Sequence, residues 1–262
     1  MSRSPLIIGH RGASAHAPEN TLAAFQMALD AGADGLEFDV QLAADGVPVV
    51  IHDATLERTG SRPERIADLT SKQLREVDVG SWFNSKYPSL ADPAFSGETV
   101  PTLIQVLDLC RDFRGLIYIE LKVNVPDYVP LAMAVCSVVR GSHLLPQIIV
   151  KSFRLGAIPV VRHHLPSVQT AALFEPTILD YLRRRKHMIA LAKEFGAQQI
   201  SLHHSLVTRK LVELASEVQI PVTVWTVDDP RWIQKCENLG IWALISNDPQ
   251  RMLAKEGSDA GG

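Results

Sequence analysis

Ionisable side chains recur in this chain where short apolar runs end. Two of them are histidines and the others form pairs spaced two positions apart: His10, His52, Glu37 with Asp39, and Glu120 with Lys122. Successive side chains of a strand point to opposite faces, so both members of each pair share a face. Burying a charged side chain among apolar residues costs free energy unless a partner binds it. A hard divalent cation and an anion would do so, which predicts a metal-assisted enzyme acting on a phosphate.

The three acids predict a metal site. If Glu37, Asp39 and Glu120 lie close together, they raise one another's pKa and resist full ionisation. Mg²⁺ or Ca²⁺ would relieve that conflict, because both prefer carboxylate oxygens, and it would polarise a phosphoryl oxygen. The alternative is that each acid pairs with a nearby arginine or lysine. Two spaced pairs at the ends of apolar strands favour the metal.

His10 and His52 are candidates for proton transfer. Cleavage of a phosphodiester needs a base for the attacking oxygen and an acid for the leaving alkoxide, and two imidazoles can fill both roles. The alternative is that one histidine only orients a carboxylate. The residue types do not indicate which would be the acid and which the base.

Other side chains are candidate substrate ligands. Arg11 offers a planar fork and Lys122 a point charge for a phosphate. Arg11 either turns inward where its strand ends or faces outward in an ion pair, and a simple pair with Glu120 is the alternative for Lys122. Trp225 could stack against a polyol, although core packing is the usual role of tryptophan. His203, at another strand end, is an equally good structural histidine.

Nine strand-like runs alternate with helical patterns, at 6–8, 35–42, 47–51, 116–121, 148–152, 168–173, 200–202, 222–227 and 243–245. Most are rich in Val and Ile, as parallel strands buried on both faces are. Capping boxes at 70–73 and 102–105 predict helix starts, and Asn20 is either an N-cap or a substrate contact. The repeated βα units predict an α/β fold, a TIM-type (β/α)₈ barrel, over a doubly wound sheet.

The segment 44–46 separates two predicted strands by too few residues for a parallel crossover, and Asp45-Gly46 favours a hairpin. A two-residue loop would place Asp39 opposite His52, whereas a three-residue loop would place Phe38 there. Either register brings His52 beside the Glu37 and Asp39 pair.

The domain organisation is predicted to be a single barrel over residues 1–256. Residues 54–100 contain no good barrel strand and follow His52-Asp53 directly, so they are interpreted as a small insertion over the barrel mouth. Residues 257–262 are predicted to be a disordered tail.

Composition excludes several classes of protein. The 262 residues carry a formal net charge of −3, and the one basic run, at 183–186, is interpreted as an exposed helix face, so no nucleic-acid partner is expected. Three scattered cysteines argue against disulfides and a cysteine zinc site. Neither a signal peptide nor an integral membrane segment is recognisable, which predicts a cytoplasmic location. The oligomeric state is left open.

In order, these motifs resemble those of the glycerophosphodiester phosphodiesterase family, in particular its cytosolic bacterial members. They include His-Arg-Gly from His10, Pro-Glu-Asn-Thr from Pro18, Glu-Phe-Asp-Val from Glu37, Asp-Gly-Val-Pro-Val-Val-Ile-His-Asp from Asp45, Glu-Leu-Lys from Glu120 and Val-Trp-Thr-Val from Val224. The resemblance extends over almost the whole chain. It implies a TIM-type phosphodiesterase barrel that hydrolyses a small-molecule glycerophosphodiester to sn-glycerol 3-phosphate and an alcohol.

The same resemblance implies roles for single residues. Glu37, Asp39 and Glu120 would ligate Mg²⁺ or Ca²⁺, His10 and His52 would be general acid and base, Arg11 and Lys122 would hold the phosphate, and Trp225 would line the glycerol side. One alternative is a lysophospholipase D-like activity, with an acyl groove supplied by Trp82, Phe83 and Tyr87. Another is a non-catalytic barrel that binds phosphate esters.

Overall fold

The structure is a computed structural model that describes residues 4–123, 127–176 and 185–254, apart from the side chains of 185 and 186. The predicted tail at 257–262 and the side chains of the basic run at 183–186 lie outside the described residues. The strands are β1 (Leu6–His10), β2 (Gly35–Leu42), β3 (Pro48–Val50), β4 (Leu116–Leu121), β5 (Ile148–Ser152), β6 (Gln169–Phe174), β7 (Gln199–His203), β8 (Val222–Trp225) and β9 (Ala243–Ser246).

Eight of these strands close into a parallel barrel. Their order is β1-β2-β4-β5-β6-β7-β8-β9, and β9 pairs with β1 to complete the circle. Every predicted strand-like run coincides with a strand, and the predicted TIM-type α/β barrel is confirmed. Because all eight strands are parallel, their carboxyl ends meet at one mouth, which is where this fold places its functional side chains.

Helices surround the barrel. They are α1 (Leu22–Asp30), α2 (Ser71–Leu74), α3 (Ser81–Lys86), α4 (Leu103–Leu109), α5 (Val129–Arg140), α6 (Ala157–His164), α7 (Arg185–Glu194), α8 (Arg209–Glu217), α9 (Arg231–Leu239) and α10 (Pro249–Leu253). Both predicted capping boxes are present, at the starts of α2 and α4. No helix within the described ranges is long and apolar enough to cross a membrane.

The one antiparallel strand, β3, forms the predicted hairpin with β2. The backbone N–H of Ala43 donates to the carbonyl of Val47 at 3.0 Å, which leaves a three-residue loop. Gly46 has φ of 77°, the left-handed position that such a loop requires. Val40 therefore pairs with Val50, which is the register of the three-residue alternative.

The barrel interior is filled near its floor by buried apolar side chains, among them Ile8, Tyr118 and Ile245. The Tyr118 hydroxyl lies 3.1 Å from Gln199 and 3.2 Å from Thr223, so its polar atom is satisfied inside the core. Apolar packing thus gives way to ionisable side chains only towards the mouth.

Residues 54–100 contain α2, α3 and three-residue or five-residue 3₁₀ turns, and no barrel strand. A separate cluster of buried side chains, including Leu56, Ile66 and Leu74, packs them against Val49 of β3. This packing attaches the segment to the strand that ends just before His52. That the segment is an insertion over the barrel mouth stays a prediction.

Candidate active site

Four neighbouring strands bring ionisable side chains to the same level of the barrel mouth. His10 at the end of β1 pairs in register with Glu37 of β2. Asp39 of β2 pairs with Glu120 of β4, and Glu120 pairs with Lys151 of β5. The sheet register itself therefore assembles the site, and the i, i+2 spacing points Glu37 and Asp39 into it together.

Glu37, Asp39 and Glu120 form an acidic cluster, in which one oxygen of each carboxylate lies within 4.8 Å of the others. Their exposed fractions are 1%, 1% and 5%. Three buried carboxylates at this distance repel one another unless cations lie among them.

Cationic side chains do contact each acid. The Lys122 ammonium lies 2.6 Å from Glu120 and 3.2 Å from Asp39. The Lys151 ammonium lies 2.7 Å from Glu37 and 3.9 Å from Glu120. The ion-pair alternative thus describes real contacts, and the cluster is balanced in part by the chain's own cations.

The balance is uneven between the acids. Burial opposes ionisation of Asp39, but the charges of Arg11 and Lys122 outweigh it and hold the pKa of Asp39 well below its ordinary value. Burial and the neighbouring Asp39 raise the pKa of Glu120 to about 7, despite Lys151 and Lys122. At neutral pH the two lysines therefore do not fully stabilise the ionised form of Glu120.

This donor set fits a hard divalent cation. Carboxylate oxygens are the ligands that Mg²⁺ and Ca²⁺ prefer, and the three acids come from two paired strands, β2 and β4. A bound cation would supply the charge that Glu120 lacks. Lys122 contacts Asp39 and Glu120, and Lys151 contacts Glu37 and Glu120, so each ammonium bridges two of the three carboxylates without belonging to the donor set.

His10 is fixed by a side chain that sequence reasoning did not single out. Its Nδ1 lies 2.6 Å from the amide oxygen of Asn247, whose amide nitrogen donates to Asp228 at 2.8 Å. Because that amide oxygen can only accept, Nδ1 of His10 carries the hydrogen and neutral Nε2 keeps its lone pair. Nε2 faces Glu37 at 3.9 Å, and burial lowers the pKa of His10 below its ordinary value.

His52 follows β3 and is held by a carboxylate. Its Nδ1 lies 2.6 Å from Asp53, so this nitrogen donates and Nε2 is the atom left for substrate. The amide of Gln41 donates to the carbonyls of Ile51, His52 and Asp53, which fixes the backbone of the turn. The backbone N–H of Ile51 donates to the carbonyl of Asp39 at 3.0 Å, so the hairpin brings the adjacent His52 to the acidic cluster as predicted.

Arg11 turns inward, the first of its two predicted alternatives. It follows β1 with φ of 55°, and this left-handed turn directs its Nε to Asp39 at 3.0 Å. Asn20 is not the N-cap of α1, which is Thr21. The Asn20 amide nitrogen instead donates to Asp39 at 2.9 Å, so the side chain supports the acidic cluster.

Trp225 and His203 lie together at the ends of β8 and β7, on the opposite side of the mouth. Their rings meet edge to face at 5.3 Å, and Trp225 also meets Phe153 at 5.6 Å. Lys122 lies 6.0 Å from the ring of Phe153, which connects this aromatic group to the acidic cluster. His203 also contacts Ser205 at 2.8 Å and, within the described residues, forms no ion pair with the acidic cluster.

Of the three aromatic residues Trp82, Phe83 and Tyr87, Phe83 is not available to line a groove. Phe83 is fully buried and packs between Trp82, Tyr87 and Phe95. Phe83 therefore does not contribute to the acyl groove expected from Trp82, Phe83 and Tyr87, because its ring forms the local core.

Lys151, Asn247, Asp53 and Arg58 are site residues whose roles sequence reasoning missed. Lys151 carried a usable signal, since it is a charge in an otherwise apolar strand, as Glu120 is. Asn247 directly follows β9, and its contact with His10 spans 237 positions of the chain. Only the closure of the barrel by β9 and β1 brings these two residues together.

Comparison with known proteins places this geometry in context. The sequence profile described as the Glycerophosphoryl diester phosphodiesterase family matches residues 10–251. A glycerophosphodiester phosphodiesterase of Caldanaerobacter subterraneus subsp. tengcongensis is 30% identical over 248 residues, which cover 95% of this chain and 96% of that protein. A putative glycerophosphodiester phosphodiesterase of Bacillus subtilis is 33% identical over 251 residues, covering 96% of this chain and 97% of that one.

Solved structures share the fold over almost the whole chain. A putative glycerophosphoryl diester phosphodiesterase from Silicibacter pomeroyi has a TM-score of 0.82 at 29% identity, and the match covers 95% of this chain and 92% of that one. A phosphodiesterase from Oleispira antarctica, solved in complex with the product sn-glycerol-3-phosphate, has a TM-score of 0.80 at 25% identity, with 95% of each chain covered.

Proposed function

Because this chain belongs to the glycerophosphoryl diester phosphodiesterase family, we propose that its barrel mouth hydrolyses glycerophosphodiesters to sn-glycerol 3-phosphate and an alcohol, with a divalent metal and two histidines. The chain is an enzyme of the phosphodiesterase class by that membership. The product-bound relative from Oleispira antarctica supports sn-glycerol 3-phosphate as the product here. The observation that carries the proposal is the acidic cluster, with one oxygen of each carboxylate within 4.8 Å of the others, beside two oriented imidazoles.

Glu37, Asp39 and Glu120 would hold the metal, and either Mg²⁺ or Ca²⁺ suits three carboxylates. When bound, the cation supplies Lewis-acid stabilisation of the negative charge that develops on the phosphoryl oxygens. Everything else in the reaction is assigned to side chains of the chain itself.

We assign His10 as the base. Its neutral form has the lone pair on Nε2, because Asn247 holds the hydrogen on Nδ1, and burial keeps its pKa below the ordinary value. A neutral imidazole with a free lone pair is the form that accepts a proton from the attacking oxygen. That oxygen belongs either to water or to the substrate's own glycerol hydroxyl, and the second route passes through a cyclic phosphate.

We assign His52 as the acid. The Asp53 carboxylate lies 2.6 Å from Nδ1, which keeps a hydrogen on that nitrogen and orients the ring, so Nε2 is the atom that would carry the proton to the substrate. As the bond from phosphorus to the leaving oxygen breaks, His52 gives its Nε2 proton to that oxygen and an alcohol departs. Proton transfer of this kind contributes roughly 10²-fold to 10⁴-fold to the rate.

Arg11 and Lys122 would bind the phosphate beside the acidic cluster. Both are fixed by Asp39, at 3.0 Å and 3.2 Å, so their side chains are oriented before the substrate arrives. Trp225, with His203 beside it, would face the carbon atoms of the glycerol part, for which an aromatic ring is a suitable surface.

The test is a turnover assay with purified protein and glycerophosphocholine, followed by detection of sn-glycerol 3-phosphate. We expect activity that EDTA abolishes and that Mg²⁺ or Ca²⁺ restores, and no activity in Glu37→Gln. Turnover that is insensitive to EDTA would refute the metal, and no turnover with any glycerophosphodiester would favour the binding barrel. Rapid-quench NMR for a cyclic phosphodiester separates the two nucleophiles.

A cytoplasmic location stays a prediction. The three cysteines are buried free thiols, as expected in a reducing compartment.

A further inference from the structure

One side chain of the 54–100 segment reaches into the site. Nε of Arg58 donates to Asp53 at 2.6 Å, while Nη1 and Nη2 donate to the two carboxylate oxygens of Glu19 at 2.7 and 2.8 Å. A single guanidinium therefore joins the loop after β1 to the turn after β3. These two loops are 34 positions apart in the chain and have no ladder between them.

Each of the two carboxylates has a second partner that belongs to the proposed machinery. The other oxygen of Asp53 accepts from His52 at 2.6 Å. Glu19 also accepts from Arg11 at 2.7 Å. The chain of contacts from His52 through Asp53, Arg58 and Glu19 to Arg11 alternates between N–H donors and carboxylate acceptors, and every distance in it is 2.8 Å or less.

The shape of arginine suits this bridge. Its planar fork offers donors in fixed directions and can serve two carboxylates at once, which an ammonium group cannot do with the same geometry. The ring of Trp82 lies 5.6 Å from the guanidinium, so α3 helps to hold it. Arg58 is 39% exposed, and an isolated pair at that exposure contributes little to stability. The position of Arg58 between two oriented carboxylates therefore says more about its role than its contribution to stability does.

We infer that Arg58 is a positioning residue, which holds the proton donor His52 and the phosphate ligand Arg11 in a fixed relation through Asp53 and Glu19. The inference rests on the roles proposed above for His52 and Arg11. It also gives the 54–100 segment a function, since this segment supplies the residue that orients both loops. All three guanidinium nitrogens of Arg58 donate to Asp53 or Glu19, so we expect its effect to reach the reaction through these two carboxylates.

The experiment compares Arg58→Gln, Arg58→Lys and a matched control, Arg62→Gln. Arg62 lies in the same segment and pairs with Glu64, but this exposed pair has no link to His52. We expect Arg58→Gln to lower kcat on the order of 10-fold to 100-fold, as loss of an orienting partner does elsewhere. Arg58→Lys should recover little of that loss, and Arg62→Gln should match the wild type.

A double-mutant cycle separates positioning from general stability. If Arg58 acts through Asp53, then Arg58→Gln costs much less in kcat in an Asp53→Asn background than in the wild type. Glu19→Gln breaks the chain from its other end and serves if Arg58→Gln does not fold. An equal loss of kcat in both backgrounds would overturn the inference.

The leaving group is a second readout that a purely structural role would not move. His52 and Arg58 contact opposite carboxylate oxygens of Asp53, each at 2.6 Å, so the loss of Arg58 should disturb the proposed proton donor. Arg58→Gln should therefore lose less kcat with a p-nitrophenyl diester, whose leaving group needs no proton, than with glycerophosphocholine. Wild-type activity, measured first, tests the proposed function by itself. If the wild type is active and Arg58→Gln either keeps its kcat or loses the same factor on both substrates, only the present inference is overturned.

Discussion

The amide oxygen of Asn247 lies 2.6 Å from Nδ1 of His10, and it cannot be exchanged with the amide nitrogen. The reason is that the nitrogen donates to Asp228, which also accepts from the backbone of Asn247 at 2.7 Å. This arrangement selects one tautomer of His10 before any substrate binds. Asn247 thus fixes the tautomer of His10 with a neutral acceptor, as the carboxylate of Asp53 does for His52.

Replacing Asn247 by alanine should therefore reduce catalysis without removing a group that touches substrate. We expect Asn247→Ala to lower kcat on the order of 10-fold to 100-fold, because the imidazole loses the partner that fixes its tautomer and ring plane. The measurement is kcat with saturating glycerophosphocholine. The same substitution in a His10→Ala background serves as the control, and a full additional loss there would contradict the role.

The assignment of acid and base predicts different responses to the leaving group. Alanine at His10 or His52 should each lower kcat on the order of 10²-fold or more with an alkyl alcohol as the leaving group. With a p-nitrophenyl diester, the leaving phenolate needs no proton, so His52→Ala should recover much of its activity and His10→Ala should not. Stopped assays on both substrates decide this, and the opposite pattern would exchange the two roles.

The barrel was predictable from the sequence because its signals are local and repeated. These signals are the Val-rich and Ile-rich runs, the capping boxes at Thr70 and Thr102, and the Asp45-Gly46 turn. Each depends only on residues within a few positions of it. The i, i+2 spacing of Glu37 and Asp39 predicts a shared face from strand geometry alone, and the structure has that face at the mouth. The length of the hairpin loop was open, because Asp-Gly is compatible with either register.

The parts of the site that escaped prediction depend on contacts between distant segments. Asn247 meets His10 only because β9 closes the barrel on β1, and Arg58 meets Glu19 only because residues 54–100 pack on β3. Asn20 was ambiguous for another reason, since an asparagine before a helix suits both a cap and a polar contact. Thr21 takes the cap, which leaves Asn20 for Asp39.

Metal binding should depend on pH through Glu120, whose pKa burial and Asp39 raise to about 7. A metal ligand must be ionised, so below pH 7 a proton competes for this carboxylate and Kd should rise about tenfold per pH unit. Above pH 7 the affinity should level off, and Asp39, whose pKa is low, should add no dependence in this range. Calorimetric titration with Ca²⁺ or Mg²⁺ between pH 5.5 and 8.5 measures it.

Glu120→Gln is the control for that titration. It should bind the metal more weakly and lose the pH dependence, since a glutamine has no proton to release.

The raised pKa of Glu120 also has a consequence for the stability of the metal-free protein. Its folded state favours protonated Glu120, so its stability should fall as pH rises from the ordinary glutamate value through 7, and Glu120→Gln should remove that part of the fall. A parallel pH dependence in both proteins would assign the effect to another group.

Lys151 offers a test of whether the chain's own cations compete with the metal. Its ammonium is 2% exposed and lies 2.7 Å from Glu37, so Lys151→Met leaves a buried carboxylate without this partner. Without metal, the substitution should cost about 3–5 kcal/mol in the free energy of unfolding, the usual effect of removing one member of a buried pair. With saturating Ca²⁺ or Mg²⁺ much of that loss should return, because the acidic cluster is then neutralised by the ion. Thermal melting with and without metal measures both effects.

The control is Lys210→Met, which removes an exposed ammonium 4.0 Å from Glu213 and should change neither melting curve. A loss at Lys151 that metal does not reduce would mean that the lysine, and not an ion, is the resident cation of Glu37.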